Sequence, residues 1–420
     1  MQLSKILIIS NHCISEYDSN GRSLMNMLYK FDKCQLYQIY SANDLIDEHR
    51  CAEYFKITNV DALKGCFGLH KTYSALTENI DALNSNVYSA YKNSLTMLIR
   101  DIIWKLSWGM MRSLKKWVKK ISPTAIVVQL GDSSYLINIA LYLSKCFDIP
   151  IVVYNTEDYY FKKYNFMKGV NKSNTFFKLF QANFRSNVRK LINKASLVFC
   201  NCNGLVQLFN KEFNIECKTI YTASTIKPEI KQYAANNVIS YCGNLGVGRH
   251  KSLIELAESL HEIDEKLSLD VYGNAPNKLI AKQLNECKAI NFHGVVPYSK
   301  VQEVMFNSRL LIHVEGFDSY TVMDTQYAFS TKLADYCASG VPFLIYAPQT
   351  GEGMKYVAKN NIGFTVSNRE NLTPVLKQAL FDDKMIKQVV DNAIHIAKLN
   401  HNIENNGQFV YNEILKIISK

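Results

Sequence analysis

Long apolar runs are missing from this 420-residue chain. None approaches the roughly 18 residues that a membrane-spanning helix needs. The opening MQLSKILIISNH has too short an apolar stretch for a secretory signal. Both absences predict a cytoplasmic protein. CxxC and HExxH spacings are missing too. The eleven cysteines are scattered, and only Cys200 and Cys202 lie close together. Reduced, buried thiols follow, rather than a disulfide framework or a zinc site. There is no internal repeat and no low-complexity tract. The 25 Tyr and 21 Phe come without an RNP-like, zinc-finger or basic-zipper pattern. The net charge of +11 therefore points away from nucleic acid, towards an anionic membrane surface or polyanionic small molecules.

What is present is a rhythm. With 48% hydrophobic residues the chain is long enough for two sizeable cores. KILIIS, LYQIYS, TAIVVQL, IPIVVYN, SLVFCN and CKTIYT are short apolar runs, most of them separated by helical spacing. From about Val238 the pattern restarts with VISYC, LSLDVYG, AINFHG, RLLIHV, VPFLIYA and IGFTV. Such alternation predicts an α/β protein with two Rossmann-like, doubly wound parallel sheets. The expected domains are 1–225 and 238–400, followed by a terminal helix over 401–420. Between the two lies the polar, aperiodic TASTIKPEIKQYAANN. Tandem domains of this kind are expected to face their strand ends towards a shared cleft.

The stretch YCGNLGVGRHKS, residues 241–252, runs from a strand through glycines into a helix. Backbone N–H groups at such a helix start suit a phosphate. Gly243, Gly246 and Gly248 give GxxGxG, however, not the dinucleotide GxGxxG. Asp270 sits in the middle of the next strand rather than at its end. A dehydrogenase is disfavoured. Arg249 and Lys251 open the helix, where cations are unfavourable unless a polyanion compensates them; a plain glycine turn with solvated basic residues is the competing account. A second constellation is YAFSTKLADYCASGVPFLIYAP, residues 327–348. Ser330 and Thr331 are good N-cap types, Lys332 follows, and Gly340 with Pro342 ends the helix. Asp335 lies in the first or second turn. It could accept hydrogen bonds from sugar hydroxyls or simply favour the helix dipole.

GNLGVGRHKSLIELAESL, the VYGN turn, FHGVVPYSKVQEVM and STKLADYCASGVP, in that order, resemble the donor-binding half of bacterial GT-B glycosyltransferases of the group 1, family 4-like type that builds polysaccharides. The first half is more loosely similar to their acceptor domain, through ILIISNHCISEYDSNGRSL, VVQLGDSSYL and IPIVVYNTEDYY. The resemblance implies two domains flanking a cleft and transfer of a sugar from a nucleoside diphosphate to a saccharide or lipid-linked acceptor. No cofactor is implied beyond the nucleotide sugar as co-substrate. A nucleotide-sugar epimerase of the same fold is the alternative, and turnover without acceptor separates the two.

Carried over by position, the resemblance implies that Gly243, Asn244, Gly246, Arg249 and Lys251 approach the donor diphosphate, with Ser330, Thr331 and Lys332 on the other side. Gly273 and the backbone near Val295 would border the base. Asp335 falls where the family has a ribose-binding glutamate. The family's further glutamate, eight positions earlier, is Tyr327 here, and Glu315 is the candidate to replace it. No DxD-like metal motif stands out, so helix-end N–H groups and cations are expected to stabilise the leaving group without a metal. An inverting reaction needs a general base, for which Asp158, Glu157 and Asp132 are candidates; loop solvation would equally explain them. Gly21, in DSNGRS, would let the first loop approach the donor or would be an ordinary turn glycine. Finally, residues 94–120 carry seven Lys or Arg against one Asp, with three Trp. Their stripe of Leu98, Ile102, Leu106, Met110, Leu114 and Trp117 is expected to pack on the sheet, while the basic edge could meet anionic lipid on the inner membrane face.

Overall fold

The structure, a computed structural model, describes residues 4–16, 19–44, 46, 49–69, 93–167, 175–229 and 237–419. The chain divides into two compact units: Met1–Tyr221 together with Ile403–Lys420, and Thr222–Asn402. The polar stretch expected to link the halves runs in part through residues 230–236, outside the described residues.

In the first unit the strands are β1 (Ile6–Ser10), β2 (Leu36–Tyr40), β3 (Glu53–Lys56), β4 (Ala125–Leu130), β5 (Ile151–Asn155), β6 (Ala195–Cys200) and β7 (Lys218–Thr219). They pair in parallel in the order β3-β2-β1-β4-β5-β6-β7. β1, β4 and β5 are buried along their whole length, as strands covered on both faces must be, hence their runs rich in Ile, Val and Leu. The helices are α1 (Ser19–Met27), α2 (Asn59–Cys66), α3 (Ser94–Leu106), α4 (Trp108–Ile121), α5 (Ser134–Phe147), α6 (Thr175–Lys194) and α7 (Asn203–Phe213). Thr58 starts α2 by a reciprocal cap with Asp61, and Asn93 starts α3 by accepting from the N–H groups of Leu95 and Thr96. The chain's last helix, numbered α16 below, returns to this unit and packs on α1. Its Val410 and Ile414 are fully buried in the same core as Ile6, Ile8 and Val127.

The second unit contains β8 (Ile239–Cys242), β9 (Leu269–Tyr272), β10 (Ile290–Gly294), β11 (Leu310–Val314), β12 (Phe343–Tyr346) and β13 (Phe364–Val366), all parallel, in the order β10-β9-β8-β11-β12-β13. Its helices are α8 (Arg249–Ile263), α9 (Lys278–Glu286), α10 (Tyr298–Phe306), α11 (Ser319–Thr325), α12 (Lys332–Ser339), α13 (Glu352–Asn360), α14 (Leu372–Phe381) and α15 (Asp383–Asn400); α16 (Ile403–Ile418) then closes the first unit. Leu253, Leu256 and Leu260 follow helical spacing and bury one face of α8 against Leu269, Val271, Leu310 and Ile312. At about 1.5–3 kcal/mol for each fully buried aliphatic side chain, this stripe holds α8 to the sheet. Gly340, at φ 73°, ends α12 in the left-handed conformation that its sequence position suggests.

Both sheets share one strand order. In each, the chain reverses its direction of growth between the first and fourth strands: β1 and β4 in one, β8 and β11 in the other. Loops leaving those strands diverge and open a crevice at the carboxyl edge, the place where open parallel sheets bind ligands.

Candidate functional site

The crevice of the second unit is walled by the loops after β8 and β11 and by the start of α12. The β8 loop is held from within. Gly243 N–H donates to the Tyr272 carbonyl at 2.8 Å, and Tyr241 Oη donates to the Asn244 carbonyl at 2.7 Å. Asn244 Oδ1 accepts from Gly246 N–H at 2.7 Å. The N–H groups of Leu245, Arg249 and Lys251 donate to the carbonyls of Asn274, Gly246 and Gly248. The loop thus spends several N–H groups on its own shape, and among the described residues those of Val247 and Gly248 take no part in these bonds. Both residues have positive φ, 55° and 75°, which turns the chain sharply into α8.

Two glycines stand at close contacts. A Cβ on Gly273 would stand 1.8 Å from the Gly243 carbonyl oxygen, and its φ of 155° already disfavours other residues. A Cβ on Gly243 would meet Lys332 Nζ at 2.3 Å. The first keeps the β8 and β9 loops together. The second leaves room for a cation.

That cation belongs to a charged cluster. Arg249 Nε and Nη2 both reach Glu315 Oε2, at 2.9 and 2.8 Å, and His313 Nε2 lies 3.3 Å from Glu315 Oε1. Burial alone would raise the Glu315 carboxyl; the Arg249 guanidinium, and then His313, lower it to about 2 instead. Burial depresses His313, which is 2% exposed. Lys332 sits with its ammonium 4.3 Å from the centroid of the Tyr241 ring. Burial, and then the neighbouring Arg249, lower it to about 8, with Glu315 opposing. The cluster therefore holds two cations against one carboxylate at neutral pH, an excess charge suited to an anion.

Glu315 also lines a small cavity bordered by Gln326, Ser330 and Thr350. α12 begins beside it. Thr331 caps this helix without a side-chain hydrogen bond. Asp335, one turn on, is buried, and its Oδ1 accepts from Ser224 Oγ at 2.6 Å. At the β9 and β10 ends, Gly273 N–H donates to the Gly294 carbonyl at 2.7 Å, and Val295 stands out at 73% exposed. Tyr272 and His293 stack there, with centroids 4.4 Å apart and planes at 10°; Asp270 meets His293 at 3.2 Å.

In the first unit, Asp132 follows β4 and is buried, accepting from Ser133 Oγ at 3.1 Å. Asp158 follows β5, is buried, and pairs with buried Lys162 at 3.3 Å; neighbouring Glu157 is half-buried. Gly21 does not lie in a loop or turn. It is buried inside α1.

No family model and no curated protein sequence matches the chain. Solved structures do. HepE of Anabaena in complex with UDP-glucose aligns over 98% of this chain and 99% of its own, with TM-score 0.64 at 14% identity. Sucrose-phosphate synthase of Thermosynechococcus elongatus aligns over 99% of both chains, with TM-score 0.66 at 11% identity. A TarM variant of S. aureus, in complex with fondaparinux, α-GlcNAc-glycerol and UDP, aligns over 100% of both chains, with TM-score 0.63 at 10% identity.

The fold is GT-B.

Within this GT-B chain, the structure brings together Gly243, Arg249, Glu315 and Lys332, and links Asp335 to the start of the second unit through Ser224. His313, Tyr241 and Ser224 had not been singled out in the sequence. For His313 a signal existed: one imidazole in the otherwise apolar strand RLLIHV. A further expectation is corrected. Residues 94–120 do not form a single helix with one inward stripe: the chain breaks at buried Ser107 between α3 and α4. Met110, Leu114 and Trp117 are buried as expected, but Ile102 and Leu106 face outwards. The α3 residues turned inwards are Ser94, Met97, Asp101 and Trp104. No described helix is long and apolar enough to cross a membrane.

Proposed function

We propose that this protein transfers a sugar from a nucleoside diphosphate to a saccharide or lipid-linked saccharide acceptor in surface polysaccharide synthesis, on the cytoplasmic side and without a metal. One observation carries the reading: excess positive charge from Lys332 and Arg249 sits at the switch point of a GT-B second unit, against a glycine whose missing side chain makes the room. A diphosphate leaving group gains negative charge as the glycosidic bond breaks, and fixed cations in a low-dielectric site stabilise that charge more than the ground state. In this reading Lys332, Arg249 and Lys251, with the backbone of Gly243, Asn244 and Gly246, take the diphosphate, and Ser330 and Thr331 add N–H groups. Asp335 takes the ribose, exchanging Ser224 for a sugar hydroxyl. Gly273 and Val295 border the base. Glu315, held by Arg249 and His313, meets the donor sugar in the cavity beside it.

Asp132, Glu157 and Asp158 are the candidate bases of an inverting reaction. A lipid-linked acceptor would bring residues 94–120 to a membrane surface. HepE bound to UDP-glucose supports the choice of a nucleotide-sugar donor. The test is calorimetric titration with a panel of nucleotide sugars, repeated with Asp335→Asn and Arg249→Ala, then turnover with and without a saccharide acceptor. Unchanged affinity in both variants would sink the donor-site assignment, and turnover of donor without acceptor would sink transfer.

A further inference from the structure

α3 buries one face and exposes an apolar one. Ser94, Met97, Asp101 and Trp104 fix the inner one, with Trp104 Nε1 donating to Asn59 Oδ1 of α2 at 3.1 Å and Asn183 Nδ2 of α6 donating to Asp101 at 2.9 Å. Leu95, Ile99, Ile102 and Leu106 recur at helical spacing on the other and are exposed, rising to 61% at Leu106. Three helices pack against α3, namely α2, α5 and α6, and Leu63 of α2, Phe67 just after it and Leu179 of α6 are exposed as well. Trp108, 49% exposed, follows immediately, and the Cβ position of Gly68 lies 2.5 Å from its ring, so the α2 end and the α4 start adjoin.

The exposed charges of α3 and α4 have one sign. Trp108, Arg112, Lys115 and Lys119 share a stripe of α4, and the Arg112 guanidinium lies 4.8 Å from the Trp108 ring centroid. The only acid between 94 and 121 is Asp101, 2% exposed and turned inwards. Exposed aliphatic side chains in a row, an aromatic at their end and cations beyond it are the layout of a helix lying in a bilayer interface. A protein partner would have to bring acids for the cations and a groove for the stripe; an anionic bilayer offers both at once, acyl chains below and phosphates above.

We infer that α3, with the adjoining ends of α2, α4 and α6, docks on an anionic lipid surface, inserting Leu95, Ile99, Ile102 and Leu106 while Arg112, Lys115 and Lys119 meet headgroup phosphates. The surface suits the lipid-linked acceptor proposed above but stands on its own observations, and vesicle binding requires neither donor nor acceptor. The test is cosedimentation of the full chain with phosphatidylcholine vesicles, with and without 30% phosphatidylglycerol, in the presence of Ile99→Asp/Ile102→Asp or Lys115→Glu/Lys119→Glu variants. The unaltered chain should bind anionic vesicles, with a blue shift of tryptophan emission that Trp108→Phe removes, since Trp104 and Trp117 are already buried. The charge variant should lose on the order of fivefold in partitioning per lysine, and the apolar variant about tenfold or more at any salt concentration. Both variants alter exposed side chains, so an unchanged melting temperature is expected and shows that they fold. Absence of binding, equal binding by folded variants, or a dimer that the apolar variant dissociates would overturn the inference.

Discussion

Gly243 and Gly273 touch one another's loops, yet alanine at the two positions should do opposite things. At Gly273 the new methyl would sit 1.8 Å from a carbonyl oxygen of the backbone, at a φ of 155°. Nothing flexible can yield there. The β8 and β9 loops must separate, and strain plus lost hydrogen bonds should cost on the order of 3 kcal/mol or more. At Gly243 the methyl meets the end of a lysine, Nζ at 2.3 Å and Cε at 3.3 Å, with Tyr241 Oη at 3.1 Å. A lysine end rotates away at little expense to the fold, so the melting temperature should stay within a few degrees. What changes is where the ammonium stands: it leaves the Tyr241 ring and the place proposed for the diphosphate. A hydrogen bond to a charged group contributes about 1.5–3 kcal/mol, so the dissociation constant for UDP should rise roughly 10- to 150-fold. Calorimetric titration with UDP, alongside scanning calorimetry of each variant, reads both quantities. A Gly243→Ala protein that melts normally and binds UDP as the unaltered chain does would refute Lys332 as a phosphate ligand, and with it the role given to the room beside Gly243.

Lys332, lowered to about 8, should be about half neutral in the free protein at that pH. A bound diphosphate favours the ammonium, so UDP binding should take up protons near pH 8, measurable by titration in buffers of different ionisation heat, and affinity should fall as pH rises above 8; Lys332→Met should abolish the uptake. Glu315, lowered to about 2 from an ordinary 4.5, contributes stability present above pH 4.5 and lost as pH falls towards 2. Glu315→Gln leaves the largely buried Arg249 without that carboxylate, at about 3–5 kcal/mol, and should lower the melting temperature and flatten its acid limb. Of Asp132→Asn, Glu157→Gln and Asp158→Asn, the one that removes a general base should lower kcat by about 10²–10⁴-fold while UDP affinity, read by calorimetry, stays unchanged.

Most of the sheet was legible because a strand buried on both faces has no choice but to be apolar: VISYC, RLLIHV and VPFLIYA announce themselves. β3 was not. EYFK is short and lies at the edge of its sheet, where pairing with β2 rather than its own composition makes it a strand. Helical periodicity located residues 94–120 but could not show the break at Ser107, which depends on α2: a Cβ on Gly65 would stand 2.2 Å from Ser107 Oγ, so the two segments meet at close quarters. Nor could it tell which face of α3 turns inwards, since that is decided by Asn59 and Asn183, far away in sequence. In the second unit STKLAD marked the start of α12 because capping is local chemistry. The Arg249–Glu315 pair and the Ser224–Asp335 hydrogen bond join residues 66 and 111 positions apart, and no local pattern encodes them.

The return of α16 has a consequence for how the protein is made. The first unit is split in the sequence, its last helix emerging only after the whole of the second unit. On the ribosome, residues 222–402 can close their own core while the first is still waiting for Val410 and Ile414. Removal of a terminal tail that looks dispensable would thus open the unit farthest from it in the sequence, the one that was translated first.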